Sequence, residues 1–111
     1  MLNNNIKRKD NTYKFMIWKE DYVEKTLLHL VRRKSSGFRD VNKIRKNPDL
    51  CFYYKENLPI TIDTNDGVKQ LIKDNFPGKD YEISGNTILI FTNHIPQLHE
   101  LIEQFFNEYQ E

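Results

Sequence analysis

Residues 31–46, VRRKSSGFRDVNKIRK, hold seven Lys and Arg against one Asp, and cations at that density form a candidate docking surface for phosphate or for an acidic partner. Arg32, Arg33, Lys34, Arg39, Lys43, Arg45 and Lys46 are the candidate phosphate contacts. Phe38, with whichever of Phe52, Tyr53 and Tyr54 are exposed, could stack on bases. Ser35-Ser36-Gly37 would join two helix ends and bring their charges around backbone N–H groups that can turn toward an anion. The same cations have an ordinary alternative use as caps on exposed helical carbonyls. LCFYYKEN lacks the glycine and basic spacing of the RNP1 signature, and the chain carries no zinc-finger, helix-turn-helix or GxxG pattern. Backbone contact is therefore implied and base-specific readout is not.

This basic segment belongs to a wider split. Through Lys55 there are 14 Lys and Arg against 6 Asp and Glu, net +8, and from Glu56 onward 3 against 10, net −7. The formal total of +1 conceals both. Asp66, Asp74, Glu100, Glu103 and Glu108 offer a second chemistry, an acidic helical surface for a basic protein partner, although a solvated amphipathic face has the same signature. Two complementary halves also suit a homodimer formed head to tail.

Signals for catalysis are thin. His94 and His99 are five apart and so do not share a helical face, His29 lies elsewhere, and no metal-ligand spacing connects them. His99 with Glu103 reads as a helical surface pair. Asp63 and Asp66 follow a strand, where metal-binding carboxylates occur, yet they serve equally as a turn residue and a first-turn carboxylate. A nuclease pairing Asp with a Glu-x-Lys strand motif would need lysine where Ser84 stands. Four glycines form no phosphate loop or nucleophile elbow. Neither a catalytic residue, a metal site nor a cofactor is expected; a hydrolase using Asp63, Asp66 and a histidine is the remote alternative.

A chain of 111 residues with 38% hydrophobic and 13% aromatic side chains can bury one core without disulfides or metal. Its single cysteine, Cys51, points to a reducing compartment, the cytoplasm. The opening residues carry charge without an apolar run behind it, and the longest aliphatic and aromatic run is Ile88–Phe91, so no membrane association is expected. Alanine is absent while Asn, Lys, Ile, Phe and Tyr account for 48 residues, the bias of an AT-rich coding genome.

The elements that must position these residues follow from periodicity. Residues 1–12 read as a loose polar arm with Lys7, Arg8 and Lys9, and 13–111 as a single domain. Tyr13–Trp18 alternates as a strand. Glu20 and Asp21, followed by Val23, Leu27, Leu30 and Val31 at helical spacing, predict a helix closed by Arg32-Arg33-Lys34. Residues 39–46 predict a short basic helix with Val41 and Ile44 inward. Leu50–Tyr54 and Leu58–Ile62 read as a hairpin about Lys55-Glu56-Asn57. Thr64 or Asn65 would cap a helix through Val68, Leu71, Ile72 and Phe76. Tyr81–Ser84 and Thr87–Thr92 form a hairpin at Gly85-Asn86, and Ile95, Leu98, Leu101, Ile102, Phe105 and Tyr109 stripe a final helix. The expected order is β-α-β-β-α-β-β-α, an α+β two-layer sandwich of about five mostly antiparallel strands under three main helices.

The leading expectation is a small non-catalytic protein whose basic surface engages nucleic acid or a nucleic-acid-containing complex, in the manner of a phage or plasmid regulator or inhibitor. The alternative is an inhibitor or immunity-type module that grips a basic partner through its acidic helices.

Overall fold

Strand pairing organises the first half of the chain. The computed structural model describes residues 13–34, 37, 42–59 and 61–108. Strands β1 (Tyr13–Asp21) and β2 (Lys25–Lys34) form a long hairpin, followed by a four-residue helix α1 (Asn42–Arg45) and strand β3 (Cys51–Leu58). Helix α2 (Thr64–Asn75), strands β4 (Tyr81–Ser84) and β5 (Thr87–Phe91) and helix α3 (Ile95–Asn107) complete the order, with single 3-10 turns at Gly78–Asp80 and Thr92–His94. All five strands lie in one antiparallel sheet ordered β3-β1-β2-β5-β4. The α+β class and the five antiparallel strands hold; the order of elements is β-β-(short α)-β-α-β-β-α.

The correction concerns residues 20–34, expected as a helix. In β2 the residues Thr26, Leu28 and Leu30 are buried, while Leu27, His29 and Val31 between them are half-buried on the other face. Both faces of this strand carry apolar side chains, so the period of two is masked and a subset falls at helical spacing. Val23, counted into the helical stripe, is 99% exposed at the hairpin tip. The position of β2 at the centre of the sheet, bonded to β1 on one side and β5 on the other, pairs its backbone on both edges and gives both of its apolar faces neighbours to pack against. A second correction falls at 58–62. No hairpin forms at Lys55-Glu56-Asn57, which continue β3 with Asn57 at φ 61°, and Pro59, lacking an N–H, follows the strand end at Leu58.

Helices α2 and α3 cover one face of the sheet. Phe15, Ile17, Leu28, Leu30, Leu58, Ile88 and Ile90 from the strands meet Val68 and Ile72 of α2 and Leu98, Ile102 and Phe106 of α3 in one core. The helices also touch one another, because Gly67 lets the ring of Phe105 approach to where a Cβ would stand 2.8 Å from its Cζ. Helix α2 begins at Asp63, one residue before the expected cap: its Oδ1 accepts the Asp66 N–H at 3.1 Å. That bond, followed by the Arg32 and Lys69 charges, holds the Asp63 carboxyl below its ordinary pKa. A depressed carboxyl pKa stabilises the fold above the unfolded-state value and loses that contribution as pH falls through the folded one. Asp63→Ala is therefore expected to cost about 1 kcal/mol at neutral pH and less below about pH 4, which chemical denaturation at the two pH values would measure.

Among the described residues, the opposite face of the sheet has no helix of comparable length. It carries α1, whose Ile44 packs with Trp18, Val31, Cys51 and Tyr54 around the fully buried Met16. Among the described residues no helix is long and apolar enough to cross a membrane. Residues 1–12 and 109, together with Ser35, Ser36, Phe38, Arg39, Val41 and Ile60, lie outside the described residues.

Candidate nucleic-acid interface

Successive side chains of a strand point to opposite faces, so β2 divides the cations that a helix would have kept together. Arg32 is opposite Phe15 in the β1 register and faces the helix layer, half-buried, with its guanidinium 4.6 Å from the centre of the Tyr13 ring. Arg33 is opposite Lys14 on the open face, and Lys34, opposite Tyr13, alternates back to the side of Arg32, exposed at the strand end. Arg32 and Lys34 are thereby removed from the expected phosphate-binding group, and Lys14, which sequence reading overlooked, enters it.

Helix α1 adds further cations to the open face. Ile44 anchors it on the row formed by Met16, Val31 and Tyr54, which lies one step of about 7 Å along the strands from the Lys14/Arg33 row. Arg45 places its guanidinium 4.2 Å from the centre of the Tyr54 ring and donates to Asn42 Oδ1 at 3.4 Å. Lys43 and Lys46 are exposed. Of the expected set, Arg33, Lys43, Arg45 and Lys46 are thus grouped with Lys14, whereas Lys34 is on the side of Arg32; Phe38 and Arg39 fall outside the described residues.

The aromatic run of β3 also divides. Phe52 and Tyr53 turn toward α3, with ring centroids 5.2 and 6.3 Å from His99, and Tyr53 stacks on Phe106 at 5.4 Å. Tyr54 alone of the three joins the open-face cluster. Its hydroxyl donates to Glu56 at 2.8 Å, and burial, with that bond, pushes its pKa up to about 12, so it is a neutral ring under the Arg45 cation at any physiological pH.

Next along the open face is a pair that the helical reading of β2 concealed. Trp18 and His29 are direct cross-strand partners, stacked with centroids 3.7 Å apart and planes 6° apart. His29 Nε2 is 2.7 Å from Glu20 Oε1, which fixes the imidazole in the stack. An aromatic and a histidine become legible as neighbours only when residues 20–34 are written as the second arm of a hairpin.

The acidic residues occupy the opposite, helical layer. Asp66 and Asp74 are exposed on α2, Glu100 and Glu103 on α3, and Glu108 just past its end. Several have local partners: Lys69 at 4.0 Å from Asp66, Gln70 donating to Asp74 at 2.8 Å, and His99 Nδ1 2.8 Å from Glu103. Asp63 and Asp66 serve the start of α2, and no group of three His, Cys, Asp or Glu is placed to hold a metal among the described residues. The Cys51 thiol is half-buried in the α1 cluster, and burial raises its pKa, which keeps it protonated and a poor nucleophile. At the far end of the sheet His94 Nε2 bonds Asp80 at 2.8 Å beside a cleft of ≈ 540 Å³ lined by Glu24, Asp80, Phe91, Thr92, Asn93 and His94.

The chain belongs to a family described as a domain of unknown function (DUF8804), whose profile matches residues 9–109. No curated protein and no solved structure matches it.

Proposed function

We propose that this domain is a non-catalytic nucleic-acid-binding module whose open sheet face contacts phosphates through Lys14, Arg33, Lys43, Arg45 and Lys46. The observation that carries this reading is the direct cross-strand pairing of Lys14 with Arg33. Two cations brought opposite one another concentrate positive charge at one point of the sheet, where phosphate oxygens can accept charge-assisted hydrogen bonds from both. The neighbouring Arg45 over Tyr54 supplies a cation already ordered on an aromatic ring, which lowers the entropy lost when it meets a phosphate. Host-directed regulation by a phage or plasmid product acting in the cytoplasm is the setting this size and composition suit.

Fluorescence anisotropy with short labelled DNA and RNA across a salt series tests the reading. The observed association constant should fall log-linearly with salt at a slope of about −0.7 to −0.9 per phosphate contacted. Absence of binding at low salt would remove the proposal. The second reading, a basic protein partner held by Glu100 and Glu103, is favoured by the exposure of both on α3. It predicts that Glu100→Lys with Glu103→Lys abolishes capture of that partner and leaves nucleic-acid affinity unchanged or higher. A head-to-tail homodimer would pair the same acidic helices with the cation face, and sedimentation at low and high salt would reveal it.

A further inference from the structure

Across four strands the open face carries one continuous row in register: Cys51 on β3, Trp18 on β1, His29 on β2 and Thr87 on β5. Ser84 on β4 extends it, opposite Thr87. Two tall rings stand in the middle of the row, and two small hydroxyl residues follow them toward the edge of the sheet. Trp18 covers one face of the His29 imidazole; on the side of His29 away from Trp18 the register places Thr87 of β5. Strands are spaced about 4.8 Å apart, so Thr87 and Ser84 floor a step roughly 10 Å wide, open at the edge strand β4. Leu89, two residues beyond Thr87 on the same face and half-buried, gives that step an apolar margin. Glu20 holds the imidazole upright through its 2.7 Å bond. The shape is that of a stack lacking its third ring.

We infer that this step is a stacking site for a nucleobase and that the ligand of the cation face is accordingly a single strand, an inference that rests on the nucleic-acid reading above. Arg33 lies four residues along β2 from His29 on the same face, about 13 Å away, so a chain with one base against His29 brings a nearby phosphate to the Lys14/Arg33 pair. A duplex keeps both faces of its bases stacked internally and cannot fill the step without unstacking. Glu20 is a positioning residue here, since it acts through His29. The acidic Glu20 also bounds the stack on the side away from the cations, which directs the phosphate chain toward Arg33.

Trp18 is the only tryptophan of the chain and reports on its own stack. The protein would be titrated at low salt with oligothymidylate, with the duplex of oligothymidylate and oligoadenylate, and with heparin, following Trp18 emission together with binding. Oligothymidylate is expected to change Trp18 emission saturably, while heparin, which carries anionic charge and no bases, binds without that change. Thr87→Phe, which fills the step and keeps a strand-forming residue, is expected to weaken oligothymidylate binding roughly tenfold, the order seen when one base loses its aromatic partner, with heparin affinity unchanged. Equal binding of single strand and duplex with unchanged emission, or an unaltered Thr87→Phe, would overturn the stacking site and leave the cation face standing. Failure of all three polyanions to bind would overturn the cation face and this inference with it.

Discussion

Lys14→Glu is expected to move binding and stability in opposite directions. The substitution turns a like-charged cross-strand pair with Arg33 into an opposite-charged one, worth a gain of roughly 0.2–1 kcal/mol in an antiparallel sheet. At the same time it removes one phosphate contact, and hydrogen bonds to charged groups contribute about 1.5–3 kcal/mol. Affinity for nucleic acid should therefore fall by roughly tenfold or more, and the salt slope should become shallower by about 0.7 for a single strand. Adding Arg33→Glu removes the second contact and should bring the loss to about a hundredfold. Arg32→Glu is the control that the fold supplies. Arg32 packs over Tyr13 on the helical side, so its reversal should lower the denaturation midpoint without changing the salt slope. A Lys14→Glu protein that binds as tightly as the parent would show that phosphate does not sit on this pair.

Phe106→Ala is expected to produce the largest loss of stability. Phe106 is fully buried, with ring centroids 5.3 Å from Phe15, 5.4 Å from Tyr53 and 5.0 Å from Phe105. It therefore joins α3 to β1 and β3 in one aromatic group. Truncating a core Phe costs about 3–5 kcal/mol, combining lost transfer energy with the cavity left behind, against a total of about 5–15 kcal/mol for a domain. The midpoint of thermal unfolding should drop by about 12 °C or more. Phe105→Ala, at the half-buried neighbouring position against Gly67, should cost clearly less. Equal losses at the two positions would mean that the helix is rotated about its axis from the orientation described.

These two expectations differ in how far the sequence reveals them. The stripe of α3 is readable as Ile95, Leu98, Leu101, Ile102 and Phe105, and its helix, its Pro96 near the start and its apolar side follow directly. Which of the adjacent Phe105 and Phe106 is central depends on the angle at which the helix meets the sheet. The β4–β5 hairpin is equally legible, because Gly85 at φ +58° is a turn demand that few other residues meet. The interface is less so. Arg33, Lys43, Arg45 and Lys46 stand out by charge alone, whereas Lys14, Trp18 and His29 are indistinguishable from scattered strand residues until β1 and β2 are paired.

Local chemistry determined the single-domain size, the α+β class, the second helix and the last helix, the final hairpin and the unequal distribution of charge. Each depends on spacings within about a dozen residues, over which periodicity and turn residues act directly on the backbone. The tertiary structure decided the state of residues 20–34, which residues of the basic run share a face, and what stands beside them. The segment has apolar side chains suited to either period, and its outcome was set by partners remote in sequence: β5, whose residues 87–91 complete its hydrogen bonds, and α2 and α3, which pack over Leu28 and Leu30. Once that segment is a strand, alternation sends Arg32 to the helices and Arg33 to the open face, and register sets His29 against Trp18.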